Sequence, residues 1–178
     1  MIEITIDSVR ISLMTQNRVV VLREADSQRY LPIWIGSPEA DAITLRLQSI
    51  KVDRPLTHDL LYNTITTLGA EIEYIVINEL KNDIFYAEIV LDLDEKEIRI
   101  DARPSDAIAL AVRAEAPIYV AEDVMAEAGR TPDVDVSANI LFDTPREQEE
   151  ISEIEEEDLG AFADFIEGLD LDDLSGDS

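Results

Sequence analysis

The sequence predicts an α+β fold, with mixed and antiparallel β-sheet and about three main helices packed on it, as a single compact domain over residues 1–143 followed by an acidic tail at 144–178. Three observations carry this. Apolar and polar residues alternate with period two over residues 2–14 and again within 72–102, as in strands with two unlike faces. Between and after those runs, three segments opened by proline or threonine carry apolar residues at helical spacing. From Arg146 the pattern gives way to blocks such as Glu153-Ile154-Glu155-Glu156-Glu157-Asp158, which repel one another and favour a solvated chain.

Taken in order, Ile2, Ile4 and Ile6 share one parity and Val9, Ile11 and Leu13 the other, so a bulge or break is expected at Asp7-Ser8. Turns at Gln16-Asn17 and Asp26-Ser27-Gln28 lead into apolar runs at 19–22 and 30–35, giving a three-stranded meander. Gly36 ends it. Ser37-Pro38-Glu39 reads as helix N-cap, first-turn proline and dipole-favourable acid, opening a helix with Ile43, Leu47 and Ile50 on one face. After Pro55, Thr57 is expected to cap a second helix whose stripe is Leu60, Leu61, Ile65 and Leu68, with Gly69 as its C-terminal cap.

Two β-rich runs, 72–80 and 84–93, flank Asn82-Asp83 in a hairpin pattern, and Asp94-Glu95-Lys96 turns into a further strand. In that strand Ile98, Ile100 and Ala102 are expected to face a buried side, and Arg99, Asp101 and Arg103 a charged one. Pro104-Ser105-Asp106 starts a helix whose run 107–112 is apolar nearly all round, so it should lie buried against sheet. Pro117 ends it, and a short strand at 118–120 and a short helix at 122–128 complete the body. In the tail, Leu159, Phe162, Phe165, Ile166 and Leu169 recur at helical spacing. They read either as a marginal helix that docks loosely or not at all, or as a segment that binds a protein partner or docks on its own body.

Composition removes whole classes of function. No apolar run approaches the ~20 residues of a membrane span, and the N-terminus has no basic region followed by an apolar block, so the expected location is the cytoplasm. The chain has no cysteine and one histidine, His58, so any metal would sit on carboxylates or on that imidazole, and a hard cation such as Mg2+ or Mn2+ is the expected kind. Residues 1–144 carry 13 Lys+Arg against 26 Asp+Glu, and residues 145–178 carry one against 14, so each part has a formal charge of -13. A body so charged repels nucleic acid at long range, which leaves weak or metal-bridged contact with DNA or RNA as substrates. The glycines, at 36, 69, 129, 160, 168 and 176, form no clustered phosphate loop and no dinucleotide fingerprint, so no organic cofactor is expected.

The chemistry that remains lies at helix starts. Three predicted helices carry a carboxylate in the first turn: Glu39 after Ser37-Pro38, Asp59 after Thr57-His58, and Asp106 after Pro104-Ser105. Each could simply stabilise the helix dipole, by about 0.3–1 kcal/mol. The junction Asp101-Ala102-Arg103-Pro104-Ser105-Asp106 offers more, because a charged strand end feeds into the N-terminus of a buried helix. Backbone N–H groups, the Ser105 hydroxyl, the Arg103 guanidinium and two carboxylates lie within a few residues, a set suited to a phosphate and a hard cation. The plainer alternative is that Arg103 pairs with Asp101 or Asp106 to brace the corner. His58 is a candidate general base near neutral pH, or only a capping or solvated side chain.

The segments Leu31-Pro32-Ile33-Trp34-Ile35-Gly36 with Glu39-Ala40, Arg54-Pro55-Leu56-Thr57-His58-Asp59-Leu60, Phe85-Tyr86-Ala87, 101–110 and Pro117-Ile118-Tyr119-Val120 together resemble the bifunctional nuclease domain family, over about residues 1–143. The resemblance implies a compact α+β fold, self-association into a homo-oligomer, and hydrolysis of both DNA and RNA. The acidic tail matches none of these motifs, nor the paired-helix partner-binding module that some relatives carry.

Two functions follow as expectations. In the first the protein is a nuclease, acting as both DNase and RNase and assisted by a divalent cation. Glu39, His58, Asp59, Arg103, Ser105 and Asp106 are its candidate catalytic residues, and Glu39, Asp101 and Asp106 the candidate metal ligands, with Arg103 stabilising phosphoryl charge. In the second the fold is a non-catalytic regulatory or assembly module that oligomerises and binds partners, the same residues being spent on corners and caps. The two differ in whether those side chains converge.

Overall fold

The computed structural model describes residues 1–12, 17–25 and 27–131. Its elements run β1 (Ile2–Ile11), β2 (Arg18–Glu24), β3 (Tyr30–Ile35), α1 (Ser37–Leu47), α2 (Thr57–Thr67), β4 (Glu71–Lys81), β5 (Ile84–Leu93), β6 (Lys96–Ala102), α3 (Pro104–Ala114), β7 (Ile118–Val120) and α4 (Glu122–Ala128). The acidic tail and its apolar repeat at 159–169 lie outside the described residues, as do Gln16 and Asp26 of the expected turns. No helix among the described residues is long and apolar enough to cross a membrane.

All seven strands join one curled, mixed sheet in the order β3-β2-β1-β7-β4-β5-β6. β7 is antiparallel to β1 and parallel to β4, so three residues stitch the N-terminal meander to the second one. The parity change in β1 is a bulge: the register with β2 shifts between Ile6 and Ser8. Both tight hairpins place their central residues at positive φ, Asn82 and Asp83 at 51° and 61°, Asp94 and Glu95 at 53° and 63°. That is the turn whose twist matches paired strands, and Asn and Asp tolerate it best.

α3 is the central helix. It packs on β4 and β5 and is flanked by α1 and α2. Ala107, Ile108, Ala109, Leu110 and Ala111 are all buried, as the continuous apolar run requires, and join Ile4, Val20, Leu22, Leu31, Ile75, Ile77 and Ile89 in one core. Side chains of the size of Ile108 and Leu110 contribute roughly 1.5–3 kcal/mol each when fully buried. The alanines between them let α1 and α2 approach closely.

Several sequence expectations are corrected. α1 is capped by Gly36 and α2 by Leu56, one residue ahead of Ser37 and Thr57, which are already helical. Of the α1 face only Ile43 is buried, and of the α2 stripe only Ile65; Leu47, Ile50, Leu60, Leu61 and Leu68 are exposed. β6 is the edge strand of the sheet, and among the described residues Ile98 and Ile100 remain 38% and 41% exposed instead of lining a buried face. Gly69 does end α2: at φ 85° its N–H donates to the Thr66 carbonyl, and the Ala70 N–H donates to that of Ile65.

Candidate functional site

Counting from the observed caps, Glu39, Asp59 and Asp106 each occupy the third position of their helix, N3. A carboxylate there lies beside the free N–H groups of the first turn and the positive end of the dipole, which explains the residue type in all three places. Because α1 and α2 both pack on α3, their first turns are drawn toward the start of α3, and the three acids meet different partners.

At the start of α3, Arg103 is the N-cap residue and its guanidinium bridges two helices. Its Nε donates to Asp106 Oδ2 at 2.7 Å, and one terminal nitrogen donates to Glu39 Oε1 at 2.7 Å and to Asp106 Oδ1 at 3.2 Å. The His58 Nε2 stands 3.0 Å from the same Asp106 Oδ1. Burial acts to raise the Asp106 carboxyl, but hydrogen bonds from Arg103 and His58 and the Arg103 charge outweigh it and hold the group below the usual aspartate range. An ionised carboxylate only accepts, so His58 must donate from Nε2, which leaves Nδ1 as the basic nitrogen of the neutral ring. His58 is buried, whereas the Arg103 side chain is 67% exposed, so the cluster presents its guanidinium to solvent.

Gly36 has a specific part in this. A methyl group on it would collide with the Glu39 carboxylate, which curls back over the helix cap toward Arg103. Only hydrogen leaves that approach open.

Asp59 takes a different path. Its Oδ2 accepts the Leu56 N–H at 2.8 Å, closing the first turn, and its Oδ1 accepts from Arg113 Nε at 2.6 Å. Here too burial acts to raise the carboxyl, and these two bonds hold it below its usual range. The Arg113 side chain is only 4% exposed, and donates as well to the carbonyls of Ala109 at 2.7 Å and Ala42 at 3.4 Å. Arg113 therefore ties α1, α2 and α3 together. Sequence reasoning missed it, although a single arginine closing the apolar run 107–112 was a signal that its charge needs a buried partner.

Of the expected site residues, the structure brings together Glu39, His58, Arg103 and Asp106. Asp59 is next to the cluster in sequence but spent on Arg113. Ser105 is buried in the first turn of α3 and takes no part in the cluster's hydrogen bonds. Asp101 lies exposed on edge strand β6, opposite Glu88, and pairs with no cation among the described residues. The expected metal ligands are thus not assembled: Glu39 and Asp106 share Arg103, Asp101 stands apart, and no group of three or more His, Asp or Glu among the described residues could hold a metal ion. A groove of about 480 Å³ is lined by Arg46, Ile50, Val52 and Leu56 and by the Asp59–Arg113 pair, not by the four-residue cluster.

The chain is similar to several known proteins. The family model described as the bifunctional nuclease domain matches residues 20–133. An uncharacterized protein of Mycobacterium tuberculosis (strain H37Rv) is 36% identical over 172 residues, 97% of either chain. Bifunctional nuclease 1 of Oryza sativa subsp. japonica is 28% identical over 105 residues, which are 57% of this chain and 32% of the plant protein. Bifunctional nuclease 2 of the same plant is 31% identical over 108 residues, 59% of this chain and 33% of its own length. All four cluster residues fall inside the matched segment, and the chain belongs to the bifunctional nuclease domain family.

Proposed function

We propose that this protein hydrolyses phosphodiester bonds of DNA and RNA at the Glu39–His58–Arg103–Asp106 cluster. One observation carries the reading: Glu39 from α1 and His58 from α2 converge on the Arg103–Asp106 pair at the start of α3, whose guanidinium is mostly exposed. Arg113 also joins three helices, but it is enclosed; exposure of the guanidinium sets the Arg103 cluster apart. In this reading Arg103 meets the phosphoryl oxygens, with its planar fork held in place by Glu39 and Asp106. His58, its tautomer fixed by Asp106, takes the proton from the attacking water or returns one to the leaving oxygen. Two carboxylates against one guanidinium leave a net negative charge, so a phosphate is held only through the exposed face of the guanidinium and substrates are bound weakly and transiently.

The test is a cleavage assay on single-stranded and double-stranded DNA and RNA, each with magnesium, manganese or chelator, comparing wild type with Asp106→Ala and Arg103→Lys. The cation arms matter because the candidate ligands do not form a ready site. Cleavage by wild type that falls in both variants supports the reading, and equal cleavage by all three proteins overturns it.

A second reading, an assembly module, is favoured by Leu60, Leu61 and Leu68 on α2 and Ile98 and Ile100 on β6, apolar side chains left exposed. Sedimentation at micromolar concentration should then give a mass above the 19.9 kDa of one chain. A clean monomer would end it.

A further inference from the structure

We propose that Asp59 and Arg113 are positioning residues, which set the ring of His58 against Asp106 without themselves touching substrate. The proposal deepens the reading of the cluster as a proton-transferring site and rests on it. His58 and Asp59 are consecutive in the first turn of α2, yet their partners on α3, Asp106 and Arg113, are seven residues apart, about 10 Å along the helix axis. The turn is therefore straddled, held toward the start of α3 by one contact and toward its end by the other. Two anchors of that kind fix both the position of the α2 first turn along α3 and its rotation about its own axis. One anchor alone would leave the turn free to roll.

The stiffness of the second anchor comes from burial. Arg113 is enclosed and also bonded to the carbonyls of Ala42 on α1 and Ala109 on α3, so leaving its present rotamer would break those bonds in a buried place. Asp59 is in addition bonded to the Leu56 N–H, so shifting its carboxylate opens the helix cap. Any movement of α2 that breaks this pair swings His58, the next residue, off Asp106.

His58 is the only histidine in the chain, so its ring nitrogens give unambiguous 15N signals, and the tautomer is measurable without any cleavage assay. In full-length protein at about pH 8, where an ordinary imidazole is neutral, the wild type should show the tautomer protonated at Nε2. Arg113→Met keeps the unbranched stem of the side chain and removes the charged guanidinium. The ratio of Nε2–H to Nδ1–H tautomer should then fall by about an order of magnitude, with Arg113→Lys partly restoring it and Asp101→Asn leaving it unchanged. If Arg113→Met does not fold, Asp59→Asn, isosteric and at a partly exposed position, gives the same readout. A folded Arg113→Met or Asp59→Asn protein with the wild-type tautomer ratio overturns the proposal. A wild-type ring protonated at Nδ1 overturns the His58–Asp106 contact itself. Loss of the tautomer preference in a protein whose wild type cuts no substrate would uphold the positioning role and overturn the nuclease reading.

Discussion

α3 carries an arginine at each end, and the two make almost the same bonds. Arg103 reaches Asp106 and Glu39 at 2.7 Å, and Arg113 reaches Asp59 at 2.6 Å, each carboxylate coming from the N3 position of a helix. Their surroundings differ: the Arg103 side chain is 67% exposed and that of Arg113 is 4% exposed. The Arg103 guanidinium is solvated with or without its partners, although Glu39 and Asp106, 15% and 27% exposed, are no more open than Asp59 at 26%. A buried pair cannot lose one partner without stranding the other in a medium that solvates it poorly. Ion-pair geometry alone therefore does not separate a functional arginine from a structural one, whereas access to solvent does.

The comparison is broken or sharpened first by removing each guanidinium in turn. Arg113→Met should destabilise the protein by roughly 3–5 kcal/mol, and Arg103→Met by less, because only the Arg113 guanidinium is itself enclosed. Urea unfolding at neutral pH measures both, and equal losses would erase the distinction.

Acid gives a smaller and graded effect. Asp59 and Asp106 both have folded-state carboxyls held below the usual value, so each contributes stability that is fully present above the unfolded-state pKa, near 3.9, and is lost as pH falls through the folded value. Wild type should lose stability below about pH 4, and Asp106→Asn should flatten part of that decline. A wild-type stability that stays level on acidification would contradict the carboxylate assignments.

Smallest in stability is Gly36→Ala. The backbone at Gly36, φ -66°, suits any residue, and the obstacle is the far end of a flexible side chain, so unfolding should change by less than about 1 kcal/mol. The Glu39 carboxylate must nevertheless leave its place, which should reduce cleavage per folded molecule. A large loss of stability with unchanged cleavage would show that Gly36 serves folding alone.

Much of the fold was legible because its signals are local. The Asp7-Ser8 parity change, the Asn82-Asp83 and Asp94-Glu95 turns and the apolar run of α3 each specify a conformation within a few residues. Exposure was not legible in the same way. A period of two or 3.6 separates two faces of an element, but says nothing about whether another element covers one of them. Ile98 and Ile100 are exposed because β6 ends the sheet, and Leu60, Leu61 and Leu68 because α2 rests chiefly on α3. For the site, the residue types were readable from the helix starts, since an acid at N3 is favoured there on local grounds. Which acid meets which arginine depends on how α1 and α2 pack across α3. So Asp59, indistinguishable from Glu39 in sequence logic, belongs to Arg113, and Asp101, two residues from Arg103, belongs to an exposed strand.

The most direct test of the central claim is Arg103→Lys, with cleavage and thermal unfolding measured on the same sample. Lysine keeps the charge but loses the planar fork that spans Glu39, Asp106 and a phosphate. Cleavage per folded molecule should fall about tenfold or more, about 1.4 kcal/mol in the barrier, while the melting temperature hardly moves. Unchanged cleavage per folded molecule, together with a lowered melting temperature, would make Arg103 a brace like Arg113 and remove the cluster as the site of chemistry.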